Sequence, residues 1–135
     1  MAKQFNVGLF PMCADILHAG HIMALMEAKE KCDHLYVALN THPDGKDPVQ
    51  TVWERWTQLK ALKYVDGMIP YQGRADLERI AATMDYDVRF LGADYRGKDW
   101  DGKEQETKRG IPPYFLERDH GLSSTELKER ILRKG

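Results

Sequence analysis

Two histidines three residues apart, in the run Asp15-Ile16-Leu17-His18-Ala19-Gly20-His21, have the residue type and spacing to do chemistry. On the opening turn of a helix, two imidazoles at that spacing face the same way, and their ring nitrogens join the unpaired backbone N–H groups and the positive helix end. Such an array handles anions. Gly20 between them lets a ligand approach the backbone without meeting a Cβ. Zinc suits the pair less well, because there is no His-Glu-x-x-His and Cys13 and Asp15 stand at no zinc-site spacing.

A second run, Arg118-Asp119-His120-Gly121-Leu122-Ser123-Ser124-Thr125, lies near the other end of the chain. Hydroxyls and backbone N–H groups at a helix start bind phosphate oxygens, and Arg118 adds a planar, permanently charged fork. Ser123 and Glu126 have capping-box spacing, and Gly121 permits the tight turn before them. Two anion sites so placed point to a polyphosphate.

The elements that must position these runs are visible as apolar or β-branched stretches alternating with helix-period segments. Strands are predicted at Asn6–Met12, His34–Asn40, Gly67–Tyr71, Asp87–Gly92 and Pro113–Glu117. Helices are predicted at Gly20–Cys32, Trp53–Val65, Ala75–Met84 and Ser123–Arg133, the second capped by Thr51 with Glu54 three residues on. This alternation implies one α/β, Rossmann-like domain over residues 1–135, with a mainly parallel five-stranded sheet and helices on both faces. Ligands in such sheets sit at the carboxyl ends of the strands, which directs attention to Pro11–Ala19, Thr41–Gln50, Ala93–Arg109 and Arg118–Gly121. The polar stretch Asp94 to Arg109 reads as a mobile loop.

Composition narrows the partners. With 135 residues, 30% charged and 42% hydrophobic, the chain fits a soluble globular protein and not a disordered one. Twenty Lys and Arg against twenty-one Asp and Glu leave a net charge of -1, so nothing predicts a nucleic-acid partner. The longest apolar stretches fall far short of a membrane span and the start MAKQFNVGLF does not read as a secretory signal, so the expected location is cytoplasmic, without membrane insertion. The two cysteines, Cys13 and Cys32, read as reduced fillers.

With these residues in place, the chain resembles the HxGH nucleotidylyltransferase superfamily, and within it the glycerol-3-phosphate cytidylyltransferase family. The family's Phe-Asp-x-x-His-x-Gly-His reads here as Ala14 to His21, and its Arg-x-x-Gly-Ile-Ser-Thr-Thr as Arg118 to Thr125. Its lysine before the Glu-x-Arg helix start matches Lys46, its helix arginine matches Arg55, and Gly92-Ala93-Asp94-Tyr95 is similar to its Gly-x-Asp-Trp. The resemblance implies transfer of a nucleoside monophosphate, CMP from CTP, to a small phosphorylated acceptor such as glycerol 3-phosphate, with release of pyrophosphate.

The resemblance also assigns roles. His18, His21, Lys46 and Arg118 would be catalytic. Met12, Cys13, Gly20, Arg55, Gly92, Asp94, Gly121, Ser123, Ser124 and Thr125 would bind the nucleotide, Asp15 would hold a Mg²⁺ ion, and the protein would be a homodimer. One departure stands out: relatives have Gly-x-Phe-Asp where this chain has Met12-Cys13-Ala14-Asp15, placing a long side chain where the nucleotide passes close. Two alternatives stay open, an adenylyltransferase of the same superfamily acting on a sugar phosphate or cofactor precursor, and a nucleotide-binding module without turnover.

Overall fold

A computed structural model describes residues 3–117 and 124–134. Five strands, β1 (Phe5–Met12), β2 (Cys32–Asn40), β3 (Gly67–Tyr71), β4 (Val88–Leu91) and β5 (Pro113–Phe115), form one sheet in the order β3-β2-β1-β4-β5. Every pairing in it is parallel. The helices are α1 (Ala19–Lys31), α2 (Val52–Lys60), α3 (Gly73–Thr83), α4 (Lys103–Lys108) and α5 (Ser124–Lys134), with a 3-10 turn at Ala93–Tyr95. None of the helices among the described residues is long and apolar enough to cross a membrane.

The period-two alternation of strand side chains divides the apolar residues between two cores. Phe10, Val37, Leu39, Val88 and Phe90 pack with Leu25 and Ala28 of α1 and Leu59 of α2. Their strand neighbours Leu9 and Ala38 face the other way and pack with Tyr71, Leu77, Ile80 and Tyr86. Helices therefore cover both faces, as the continuous apolar strands require. A Cβ on Gly8 would come 2.3 Å from the Phe90 ring, so the close approach of β1 and β4 needs a residue without a side chain there.

From β1 the chain builds outward through β2 to β3, then crosses back to place β4 on the other side of β1. The strand order thus reverses between β1 and β4, which opens a crevice at their carboxyl ends where such sheets bind ligands.

Several predicted boundaries move, β2 and α3 each starting two residues earlier than expected, at Cys32 and Gly73. Helix α2 stops at Lys60 instead of Val65; turns through Leu62 and Val65 follow, and Asp66 N donates to Leu35 O to begin the β2–β3 register. Strand β5 stops at Phe115, two residues before Glu117. The larger correction concerns residues 94–109, which are not a structureless loop. They contain the 3-10 turn and α4, anchored by Glu106, whose side chain is 2% exposed. Its carboxylate accepts from Tyr86 Oη, Arg89 Nη1 and Trp100 Nε1. A carboxylate in a polar run reads as solvated until its distant partners are known.

Candidate active site

The turn from β1 into α1 is built from strained backbone. Ala14 and Ile16 lie in the left-handed region at φ 55° and 50°, a conformation costing roughly 1–3 kcal/mol per non-glycine residue and worse for a β-branched one. Three clamps hold it. The Asp15 carboxylate accepts from the N–H groups of Val49 and Gln50, both at 2.9 Å, and Gln50 Oε1 accepts from Ile16 N at 2.8 Å. Beneath, the Arg55 guanidinium donates to the carbonyls of Cys13 (3.0 Å), Asn40 (2.7 Å) and Thr41 (3.0 Å), tying the ends of β1 and β2 to α2. Arg55 was expected at a phosphate. It is 2% exposed and lines neither cavity described below, so in this arrangement it supports the floor of the site.

On this frame the two histidines cap α1 with their own rings. His18 Nδ1 accepts from Gly20 N at 3.0 Å, and His21 Nδ1 accepts from His18 N at 3.2 Å, a reciprocal capping box made of imidazoles. Because both Nδ1 atoms accept, each neutral ring carries its proton on Nε2. The neutral state is also the favoured one. Burial, then the charge of His18, drive the His21 pKa down to about 4 against a smaller opposing pull from Asp15. Burial, then Arg130, lower that of His18. The rings lie 4.1 Å apart between centroids, and His18 Nε2 is buried with no hydrogen-bond partner among the described residues. A buried unmet donor is costly, and an anionic ligand would satisfy it.

Two adjoining cavities open at the carboxyl ends of the strands. The first, about 580 Å³, is lined by His18, His21, Gly20, Asp15, Lys46 and, from the far end of the chain, Thr125 and Lys128 of α5. The second, about 430 Å³, lies toward β3 and β4 and is lined by Asn40, Tyr71, Arg74, Arg89, Gly92 and Trp100 among others. Met12, Cys13 and Lys46 belong to both walls. The structure therefore gathers His18, His21, Lys46, Met12, Cys13, Gly20, Gly92 and Thr125 around one double cavity. Asp94 lines neither half; its Oδ1 would lie only 2.6 Å from a Cβ on Gly92. Arg118, Gly121 and Ser123 lie outside the described residues, as does the side chain of Ser124.

Asp15 does not fit the metal role expected of it. Besides the two backbone donors, its Oδ2 accepts from Lys128 Nζ at 2.8 Å, so both oxygens already face N–H groups. Burial alone would raise its pKa, but Lys128 and the Gln50 and Val49 N–H groups outweigh that and hold it below the usual value. No group of three or more His, Cys, Asp or Glu side chains that could hold a metal occurs among the described residues. The carboxylate instead joins the β1–α1 turn, the loop before α2 and α5.

Sequence reasoning missed Lys128, Arg89 and the structural use of Gln50. Lys128 had a signal, since it lies one helical turn beyond Ser124 and so on the same face of α5. Arg89 had none, being a charge inside an apolar strand.

With this geometry in hand, comparisons with known proteins are informative. A family model described as cytidylyltransferase-like matches residues 9–130. The glycerol-3-phosphate cytidylyltransferase of Staphylococcus aureus is 32% identical over 124 residues, covering 89% of this chain and 90% of that protein. The bifunctional protein HldE of Granulibacter bethesdensis is 34% identical over 132 residues, and there this chain spans only 27% of the relative's length. Among solved structures, the lipopolysaccharide core biosynthesis protein of Thermoplasma volcanium is similar with a TM-score of 0.66 at 27% identity, covering 82% of this chain and 93% of that one.

Proposed function

This chain belongs to the cytidylyltransferase-like family and is a nucleotidyltransferase; from that premise we propose that it transfers CMP from CTP to a small phosphorylated acceptor. One observation carries the reading: two imidazoles fixed by the main chain as Nε2–H donors share a cavity with Lys46 and Lys128. The site's chemistry suits a triphosphate. Neutral imidazoles donate hydrogen bonds without surrendering protons, and the two ammonium groups supply the positive charge.

The reaction needs no covalent nucleophile and no strong base, because a phosphate monoester is already largely ionised near neutral pH. An acceptor phosphate oxygen attacks the α-phosphorus, forming one P–O bond as the bond to the bridging α–β oxygen breaks, and pyrophosphate departs with that electron pair. The protein's task is alignment and the stabilisation of charge on the bridging and equatorial oxygens. His18 and His21 serve the α- and β-phosphates. Lys128, Thr125 and, from outside the described residues, Arg118 and Ser123 serve the β- and γ-phosphates. Lys46, on the wall between the cavities, is placed to hold the acceptor phosphate against the α-phosphorus. The acceptor then occupies the second cavity. Divalent magnesium accompanies the triphosphate in this reading, but Asp15 does not ligate it and no step passes through it. Two copies of the chain would meet through the start of α2, where Val49 and Trp53 are 67% and 73% exposed.

Adenylyl transfer is the second reading, favoured by the Asp15-to-His21 run, which is equally at home in the heptose-phosphate adenylyltransferases. A matrix of CTP, ATP, UTP and GTP against phosphorylated acceptors, scored by pyrophosphate release, separates the two. Release with CTP and a phosphate-bearing acceptor is expected; release only with ATP moves the assignment to the second reading, and none with any pair overturns both.

A further inference from the structure

Helix α5 brings Thr125 and Lys128 to the histidine cavity, yet among the described residues it contributes no side chain to either apolar core. None of its described side chains is buried, and Ile131 and Leu132 are exposed. Burial of an apolar face is what ordinarily fixes a surface helix to its domain. Helix α5 is therefore held by something else.

Two buried carboxylates supply the ties. One is Asp15, 6% exposed, whose Oδ2 accepts from Lys128 Nζ. The other is Glu27 of α1, 3% exposed, which the proposed reaction does not use. Its Oε2 accepts from Glu117 N at 2.7 Å, one residue beyond the Leu116 N–H that donates to Leu91 O at the end of β5. The tie thus lies where the chain leaves the sheet toward α5. Burying a carboxylate is expensive, and a charge-assisted hydrogen bond from a main-chain N–H is the strong kind that offsets the cost. Because α1 carries the two imidazoles on its opening turn, Glu27 ties the C-terminal segment to the same helix that sets the histidines.

Resting on the reading of Thr125 and Lys128 as partners of the β- and γ-phosphates, we infer that Glu27 is a positioning residue for the triphosphate. It holds the exit of β5 against α1, so that α5 presents those two side chains over the cavity at a fixed distance from the imidazoles. Glu27 lines neither cavity and so touches no substrate itself. Its loss acts on the triphosphate only through the groups that α5 carries.

Calorimetric titration of the full chain with CTP and with ATP, scored on whichever binds tighter, tests this without requiring turnover. Glu27→Leu is expected to weaken triphosphate binding fivefold or more, and Glu27→Gln, which keeps an oxygen for Glu117 N, to lose less. If Glu27→Leu does not melt cooperatively, Glu27→Met takes its place with the same expectation. In the double variant Glu27→Leu with Lys128→Met the two losses should fall short of multiplying, because both weaken one helix's hold on the same phosphates, whereas a general loosening of the fold would act independently. The inference is overturned if Glu27→Leu costs less than fivefold, if Glu27→Gln costs as much as Glu27→Leu, or if the two losses multiply. Binding of neither nucleotide by the native chain overturns it together with the proposed reaction. Tight binding without pyrophosphate release sinks the reaction and leaves the positioning role standing.

Discussion

The two halves of the double cavity are made in opposite ways. In the histidine half the two imidazoles come from one contiguous stretch, residues 12–21, and bond the main chain two or three positions away, with Lys46, Thr125 and Lys128 completing the wall. The second half is backed by side chains bonded to one another instead of to the main chain, with Glu106 receiving Tyr86, Arg89 and Trp100 from 20, 17 and 6 residues away. Local construction suits chemistry common to a class of phosphates, because its geometry survives change elsewhere. Construction by remote side chains suits the reading of one substrate, because a single substitution alters the wall without touching the donors that meet the phosphates.

Removing the anchor of the second half should have the largest effect. Glu106→Ala strands the Arg89 charge in an apolar core, and a loss of about 3–5 kcal/mol is expected in chemical denaturation. A loss under about 1 kcal/mol would show that the network does not hold the wall, and the contrast would fail.

Next in size is the histidine half. His18→Asn keeps a side-chain acceptor at the N-cap but deletes the Nε2–H donor. Turnover should fall by roughly 10²–10³, as for loss of one transition-state donor, while stability changes by only a few tenths of a kcal/mol. Equal losses of activity and stability would mean that the ring is structural.

The pH dependence sharpens the same point. His21 titrates at about 4 in the folded protein against 6.5 ordinarily, so between those values the unfolded chain binds more protons. Stability from this group is complete above pH 6.5 and declines as pH falls toward 4. Followed by NMR, the His21 ring should titrate with a midpoint near 4, because a protonated Nδ1 cannot accept from His18 N. A midpoint at 6.5 would show a solvated ring.

The smallest effect is expected outside both halves. Thr51→Ala removes the α2 cap, whose Oγ1 accepts from Glu54 N at 3.2 Å, and should cost about 1 kcal/mol in a thermal melt with activity per folded molecule unchanged.

Much of the first half was legible in the sequence for the reason that it is local. The strand-turn-helix context and the spacing of His18 and His21 place two imidazoles on one helical turn without reference to any other segment. The alternation of strands and helices likewise implied a parallel sheet with covered faces, since parallel strands need crossovers and buried strands read as apolar runs. Arg55 shows the limit of such reading. An arginine near a phosphate-binding loop has the same sequence appearance whether it faces a ligand or three carbonyls, and only the packing of α2 under β1 and β2 turned it inward. Asp15 is the same case with the sign reversed, a carboxylate whose oxygens are taken by N–H groups 34 and 35 residues away.

What the amino-acid order fixed by itself was the class of chemistry and the layered fold, because both follow from short-range periodicity and from side chains capping their own helix. The tertiary structure alone decided which charges face the cavities and which are spent inside. That choice depends on pairings across tens of residues, such as Arg89 with Glu106 and Lys128 with Asp15, whose geometry and desolvation have no signature along the chain.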